Sequence, residues 1–391
     1  MRTKPFEVLT PADLRRRTSL KWRRHGPDVL PLWVAEMDVL PAMEVVEAIT
    51  EAVRLGDTGY PGNRRAYAEA FASFAELRWA WPVEPGHTQT CADVMTGIRA
   101  LVELLSRPGE AVVIPTPVYP PFSALSRELG RAVVAVPLTA TGRLDVAAIA
   151  AALAAGGPDG RPASVLLLCS PQNPTGVVHT AAELRAIADA ADRCGATVVV
   201  DEVHAPLVPA GTTFVPWLRV GGAGFVVTSA AKSFNLAGLK AGLIIAGAES
   251  RRLLRDLPES VADGASHLGI LGHVAALQAD PSWLDSVNAN IAVNRDLLAS
   301  LVSHLLPDAG YRVPQATYLA WLDCRGLQLG DDPASEFLVR ARVALTAGSP
   351  FGPGGLGHAR LNLACSAAVL TEAVERMAAV VSRAGPGSPD K

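Results

Sequence analysis

The chain has 391 residues, and this length favours two subdomains, or one large α/β domain with a smaller one attached, over a single ordinary core. Hydrophobic residues make up 49% of it and charged residues 19%, a composition typical of globular enzymes that excludes disordered and fibrous classes. The formal net charge of -3 gives no electrostatic footprint for nucleic acid, so we expect no such partner.

The cysteines and the N-terminus predict a cytoplasmic protein. Five cysteines lie far apart without a CxxC pair, which favours reduced thiols. The N-terminus is charged and polar, and the longest apolar runs have the length of strands, so we expect no targeting or membrane segment.

From about residue 88 to residue 247, short runs rich in Val and Ile alternate with helix-length segments. This pattern is typical of a mostly parallel sheet covered by helices, an α/β fold. The predicted helices include Gly97 to Leu105 and Ala181 to Cys194, the second with Thr180 as its N-cap. The predicted strands are Ala111 to Ile114, Ala132 to Val136, Val165 to Leu168, Thr197 to Val200, Phe225 to Thr228 and Leu243 to Ala246.

The C-terminal part has an α+β pattern. A long helix is predicted over residues 283–304, strands over Ala316 to Leu322 and Ala359 to Ala364, and a last helix from Thr371. We therefore expect an N-terminal arm that packs on the small domain (1–44), a large domain (45–280), a small C-terminal domain (281–384) and a disordered tail (385–391).

Polar residues follow three of the predicted strands, where α/β sheets bind ligands. Asp201 ends the run Thr197 to Val200, and a buried carboxylate there needs a cation, either an ion-pair partner or a protonated pyridine nitrogen. Lys232 follows Phe225 to Thr228, where partial burial makes an amine a usable nucleophile. Ser229 lies three residues earlier and could reach a phosphate.

Two further segments carry candidate ligands. Prolines and Gly176 stiffen the loop around Asn173, so its amide is held with little freedom and could donate to a phenolate oxygen. Gly97 and Ile98 begin a predicted helix, whose free N–H groups favour a phosphate.

Other motifs predict no chemistry. Residues 352–357 match the GxGxxG spacing of dinucleotide sites, but they contain a proline and precede a strand, so a flexible loop is predicted instead. No histidines pair at the spacing of metal ligands, and no metal is expected.

Asn173-Pro174-Thr175-Gly176, Asp201-Glu202-Val203-His204 and Ser229-x-x-Lys232, in this order, resemble the aminotransferase superfamily of pyridoxal-phosphate enzymes with fold type I. The match is closest to carbon-sulfur β-lyases of the MalY/PatB type, and it also includes the segments Pro31 to Asp38, Pro117 to Phe122 and Arg360 to Cys365. The similarity spans almost the whole chain. It implies a mostly parallel sheet of the seven-stranded type and pyridoxal 5'-phosphate as the cofactor.

The resemblance also implies roles for individual residues. Lys232 would hold the cofactor as a Schiff base, Asp201 would bind its ring nitrogen, and Tyr119 would stack on its ring. Asn173 and His204 would lie near its phenolic oxygen, and Tyr60 would reach the phosphate from a neighbouring subunit, which implies a homodimer with shared active sites. The remaining implied contacts, to the amino-acid substrate, are those of Arg360, Trp33 and Asp38.

The reaction implied is β-elimination from cystathionine or another cysteine S-conjugate, which releases a thiol, pyruvate and ammonia. Three alternatives stay open: transamination, a specialised lyase or deaminase of secondary metabolism, and a regulatory protein that binds pyridoxal phosphate without catalysis. An intact Lys232 and Arg360 argue against the last.

Overall fold

The computed structural model describes residues 4–158, 160–220 and 223–382. Its α-helices are α1 (Pro11–Arg15), α2 (Met43–Leu55), α3 (Arg65–Trp79), α4 (Val94–Leu105), α5 (Pro121–Glu128), α6 (Val146–Ala155), α7 (Ala181–Cys194), α8 (Glu259–Asp263), α9 (His267–Gln278), α10 (Pro281–Leu305), α11 (Pro333–Glu336) and α12 (Ala367–Ser382). Its strands are β1 (Leu30–Pro31), β2 (Thr88–Cys91), β3 (Ala111–Thr116), β4 (Ala132–Pro137), β5 (Val165–Cys169), β6 (Thr197–Asp201), β7 (Phe225–Thr228), β8 (Gly242–Ala246), β9 (Gly310–Tyr311), β10 (Leu319–Asp323), β11 (Val343–Ala344), β12 (Thr346–Ala347) and β13 (His358–Asn362).

A sheet of seven strands forms the centre of the fold, in the order β2-β8-β7-β6-β5-β3-β4. Only β8 runs antiparallel to its neighbours, so the predicted mostly parallel sheet is confirmed. Strands β3, β5, β7 and β8 are buried along their whole length because helices cover both faces of the sheet. Each strand predicted for this sheet lies within two residues of an observed one, and its short edge strand β2 was not predicted.

The two helices predicted between residues 88 and 247 differ in how well their beginnings were placed. Helix α7 has the predicted bounds, because Thr180 and Glu183 form the expected capping box. Helix α4 begins at Val94 rather than Gly97, since Asp93 is its N-cap and accepts a hydrogen bond from the Thr96 N–H at 2.8 Å. The prediction had overlooked this aspartate.

A second, four-stranded antiparallel sheet has the order β12-β13-β10-β9 and lies in the C-terminal part of the chain with α10 and α12. Strand β10 begins at Leu319, three residues later than predicted, because Thr317 adopts a left-handed backbone with φ 66°. Strand β1 pairs in parallel with β11 and joins the N-terminal segment to this part. The domain boundaries stay predictions, and the tail predicted to be disordered lies outside the described residues.

The topology determines where a ligand can bind. Strands β5, β6 and β7 are parallel neighbours, so Cys169, Asp201 and Thr228 end at the same edge of the sheet. This edge faces the N-terminal segment and β13. Within the three described ranges, no helix is both long and apolar enough to cross a membrane.

Candidate active site

A cavity of about 330 Å³ opens at the carboxyl edge of the large sheet. Loops after β5, β6 and β7 form one side of it, and residues 33–35 with β12 and β13 form the other. The predicted site residues that line it are Lys232, Asp201, Asn173, His204, Tyr119, Ser229, Arg360 and Trp33. The structure thus brings together residues from distant parts of the chain.

Lys232 lies in the turn that follows β7, and its amine points into the cavity wall. Its Nζ donates to the backbone oxygen of Ala35 at 3.2 Å. Burial, assisted by the nearby Arg360 guanidinium, lowers the pKa of Lys232 because both disfavour the ammonium form. The neutral amine is the form that acts as a nucleophile or takes up a proton.

The loop that carries Lys232 is tied to the N-terminal segment. Asn235 has a left-handed backbone with φ 58°, a conformation that asparagine tolerates. Its side chain accepts from the Met37 N–H at 2.8 Å and donates to the Met37 oxygen at 3.0 Å. Asn362 donates to the oxygens of Val34 and Glu36 at 2.7 and 2.6 Å. Two asparagines therefore hold this segment across the cavity from both sides.

Asp201 is a buried carboxyl group at the end of β6. Its Oδ1 accepts one hydrogen bond, from the Val203 N–H at 3.0 Å. Burial raises the pKa of Asp201 to about 7, because that hydrogen bond and the charge of Lys232 offset only part of the desolvation cost. A cation placed against this carboxylate would stabilise its charged form.

Arg360 on β13 is a buried guanidinium whose hydrogen-bond acceptors are all neutral. They are Asn173 Oδ1 at 3.1 Å, and the Trp33 oxygen and Thr346 Oγ1 at 3.3 Å each. The group lies over the Phe351 ring, 5.1 Å from its centroid, and burial lowers its pKa to about 10. A carboxylate entering the cavity would meet a desolvated cation suited to two parallel hydrogen bonds.

The Asn173 loop is held by close packing. Gly176 has φ 67°, and a Cβ there would lie 2.3 Å from Cβ of Pro314, so only glycine fits. The Gly176 N–H donates to the Gln172 oxygen at 2.8 Å and closes the loop. The loop therefore presents Asn173 to Arg360 in a fixed orientation.

Aromatic rings complete this end of the cavity. His204 is buried, and burial with the nearby cations lowers its pKa to about 3, so the ring is neutral. Tyr318, which the sequence analysis missed, packs edge to face on His204 and donates to the Ala35 oxygen at 3.1 Å. Tyr119 is partly buried at the cavity, and burial raises its pKa.

The other end of the cavity is formed by the N-terminus of α4. The backbone N–H groups of Val94 and Met95 begin this helix and have no intrahelical acceptor. Lys240 lines the cavity and forms an ion pair with Asp93 at 2.7 Å. Free helix N–H groups, a lysine and the Ser229 hydroxyl together suit a phosphate.

Gly97 and Ile98, predicted here as phosphate ligands, do not line the cavity. Gly97 packs on the sheet, where a Cβ would lie 2.9 Å from Val227 Cγ1, and Ile98 is buried in the core. Their role at the phosphate stays a prediction. The structure gives it no support, because α4 begins at Val94 and it is Val94 and Met95 that line the cavity.

Asp38 and Tyr60 also lie away from the cavity. Asp38 is buried in an ion pair with Lys21 at 2.9 Å and accepts from Trp22 Nε1 at 2.7 Å, so it ties the N-terminal segment together. Tyr60 is 99% exposed. A tyrosine that points into solvent cannot reach this cavity in its own chain, and its predicted contact with a second subunit stays a prediction.

The residues present fit pyridoxal 5'-phosphate, the cofactor that the resemblance implies. Lys232 offers an amine whose neutral form is favoured, Asp201 a buried carboxyl group that forms no ion pair with the described residues, and the start of α4 a phosphate cradle. Tyr119 offers a flat ring at the cavity wall. Each requirement of that cofactor is met by a different element of the fold.

Comparisons with known proteins agree with this geometry. The family model described as aminotransferase class I and II matches residues 27–377. A Mycobacterium leprae protein with the provisional name cystathionine beta-lyase is 47% identical over 96% of this chain and 98% of its own length. The cystathionine beta-lyase of Corynebacterium glutamicum is 33% identical over 94% and 98%. The crystal structure of cystalysin from Treponema denticola, which contains pyridoxal 5'-phosphate, has a TM-score of 0.86, 25% identity and 98% coverage of both chains.

Proposed function

This chain belongs to the aminotransferase class I and II family, and on that premise we propose that it is a pyridoxal-phosphate-dependent carbon-sulfur β-lyase. It cleaves cystathionine or another cysteine S-conjugate to a thiol, pyruvate and ammonia. The main structural support for an amino-acid substrate is that Arg360 is a buried cation whose hydrogen-bond acceptors are all neutral, so it could bind a substrate carboxylate. The relatives named cystathionine beta-lyase support the choice of a sulfur substrate.

Each residue of the cavity has a defined task. Arg360 binds the substrate carboxylate and orients the amino acid, while Asn173 holds the guanidinium in place. The bound cofactor supplies an electron sink for the bond changes at Cα. With the cofactor bound, Asp201 would keep a proton on the ring nitrogen, Tyr119 would lie against the ring, and the Lys232 amine would take the Cα proton. A thiolate leaves readily from the neighbouring carbon.

Elimination and transamination use the same residues and differ in the fate of the proton on Lys232. The test is purified enzyme with cystathionine and no keto acid. We expect pyruvate, ammonia and thiol to accumulate over many turnovers while the cofactor stays in its aldehyde form. A stop after one equivalent, with the pyridoxamine form accumulating and a keto acid restoring turnover, would identify an aminotransferase instead.

The enzyme is a homodimer with shared active sites. Its support is a surface of exposed apolar side chains on α2 and in the residues before it, in the segment of the chain that leads to Tyr60. Exposed apolar side chains that are grouped in this way are typical of a protein interface. The side chains are between 40% and 72% exposed: Leu40, Met43, Val46, Val53 and Leu55. A second copy covers this surface, and its Tyr60 reaches the phosphate end of the cavity.

Mixing two inactive variants tests the shared site. Tyr60→Phe and Lys232→Ala should each be nearly inactive, and heterodimers refolded from both should regain activity at one of their two sites. No rescue, or a monomer by sedimentation velocity, would refute shared sites.

We also place the enzyme in the cytoplasm. All five cysteines are free, and four of them are buried, so the fold depends on no disulfide. Its activity should therefore be the same with and without a reducing agent, and fractionation of the native cells should recover it from the cytoplasm.

A further inference from the structure

A buried tyrosine and a buried histidine lie behind the Lys232 loop, outside the cavity. Tyr67 of α3 and His273 of α9 are both fully buried, and Tyr67 Oη lies 3.0 Å from His273 Nδ1. Their rings meet edge to face with centroids 5.4 Å apart. Burial raises the pKa of Tyr67 and lowers that of His273 to about 4, so both are uncharged near neutral pH. The mechanism above uses neither.

Tyr67 connects this pair to the cavity. The other polar neighbours of its hydroxyl are the Ser229 side chain and the Ala230 backbone. Ser229 lines the cavity at its phosphate end, where its hydroxyl donates to the Ala241 oxygen at 2.7 Å. A series of neighbouring polar groups therefore leads from the cavity through Ser229 and Tyr67 to His273.

Helix α9 holds the far side of the same loop. The Ser266 N–H donates to the Lys240 oxygen at 2.7 Å, and a Cβ on Gly269 would lie 2.7 Å from that oxygen. The backbones of helix and loop are thus in direct contact. The carbonyls of Leu236 and Leu239 are the other polar neighbours of His273. His273 consequently contacts both Tyr67 and the end of the loop that Lys240 closes.

We propose that Tyr67 and His273 are positioning residues for the cofactor phosphate. Tyr67 fixes the Ser229 hydroxyl at the phosphate end of the cavity, and His273 fixes the Tyr67 hydroxyl. The proposal rests on pyridoxal phosphate as the proposed cofactor. It assigns the pair to the phosphate end of the cavity and not to the end that holds the Lys232 amine, because Ser229 is the cavity residue among the polar neighbours of the Tyr67 hydroxyl.

The test measures cofactor binding to the cofactor-free protein, by absorbance, without any turnover. Tyr67→Phe removes one oxygen and leaves the ring, and it should raise the Kd for pyridoxal 5'-phosphate about tenfold. The Kd for pyridoxal, which lacks the phosphate, should change by less than about twofold. Tyr311→Phe is the matched control, since the Tyr311 hydroxyl has no hydrogen-bond partner in the described structure and lies outside this cavity.

Two further variants separate positioning from general stability. In a Ser229→Ala background Tyr67→Phe should cause no additional loss, because the tyrosine acts through the serine. His273→Asn keeps a polar group near the position of Nδ1 and should bind the cofactor almost normally, whereas His273→Leu should match Tyr67→Phe. Unchanged phosphate-form binding in Tyr67→Phe, or equal losses for both cofactor forms, would overturn the proposal. Failure of the lyase assignment would leave these affinities untouched.

Discussion

The two ends of the cavity bind by different physical means. Lys232, Asp201 and Arg360 are buried at one end, which we call the amine end. Burial shifts the pKa of each group in the direction that favours its neutral form. At the phosphate end the ion pair between Lys240 and Asp93 is partly exposed, at 54% and 36%. Desolvation alters reactivity, whereas a solvated ion pair and helix N–H groups mainly provide affinity. The first end is therefore built for chemistry and the second for anchoring.

The largest effect should come from Lys232→Ala. This change removes both the cofactor linkage and the base for the Cα proton, so kcat for pyruvate release should fall by about 10⁴-fold or more. Borohydride reduction of the native holoenzyme followed by peptide mapping should place the pyridoxyl label on Lys232. A label on Lys240 would reverse the roles of the two ends.

Asp201→Ala should lower kcat by about 10²- to 10³-fold, because the ring nitrogen loses the group that keeps it protonated. Some cofactor should remain bound, since the phosphate end is unchanged. Glu202→Gln is the control: Glu202 is also buried, but it accepts from the Trp217 N–H at 2.7 Å and does not line the cavity. Near-normal turnover in Asp201→Ala would reduce Asp201 to a structural role.

The Asp201 carboxyl group makes the stability of the cofactor-free protein depend on pH. Its pKa is raised by burial from 3.8 to about 7, so the native state binds more protons than the unfolded state between these values. Stability should then fall as pH rises from about 4 to about 7. Asp201→Asn lacks this loss and should exceed the wild type at pH 8 by a few kcal/mol in chemical denaturation, but not at pH 4. Parallel pH profiles of the two proteins would contradict the desolvated site.

Arg360→Lys keeps the charge but not the two parallel N–H groups, so kcat/KM should fall about 10- to 100-fold, mainly through KM. Arg325→Lys serves as the control, because Arg325 is exposed and pairs with Asp323 at 2.6 Å. Equal effects of the two changes would show that Arg360 contributes only general positive charge.

How much was predictable differs between the two ends as well. Asp201, Lys232 and Asn173 directly follow apolar strands, and such runs locate the edge of a parallel sheet from local sequence. Lys240 could not be identified in this way, because its partner Asp93 is 147 residues away in the sequence. Thr346 lines the cavity, and Tyr318 contacts the cavity residues Ala35 and His204, because of the fold of the C-terminal part, which no local pattern encodes.

The start of α4 illustrates a different difficulty. A glycine near the start of a helix is typical of a phosphate-binding turn. At position 97, however, a glycine is needed because the helix packs closely on Val227 and Ile244. The N-cap aspartate at 93 was the better signal, since N-capping residues mark the first free N–H groups. Close packing and close ligand approach both select glycine, so the residue alone could not distinguish them.

The smallest effects should come from two substitutions that separate packing from binding in α4. Val94→Pro removes one free N–H at the first helical position, where proline is tolerated, and Asp93 already has the extended backbone that precedes a proline. Cofactor affinity should fall about tenfold because a hydrogen bond to a charged phosphate is lost, while the free energy of unfolding of the cofactor-free protein should fall by no more than about 1 kcal/mol, since proline trims the buried Val94 side chain.

Gly97→Ala should do the opposite. Its Cβ would lie 2.9 Å from Val227 Cγ1 and 3.1 Å from both Cys91 Sγ and Ile244 Cγ1, so the core must shift, at a cost of about 1–3 kcal/mol of unfolding free energy. Cofactor affinity, measured by absorbance on the folded protein, should stay within about twofold of the wild type, since the free N–H groups at the helix start are unchanged. If Gly97→Ala instead weakens the cofactor and Val94→Pro does not, the phosphate binds one helical turn further along α4, as the sequence alone had predicted.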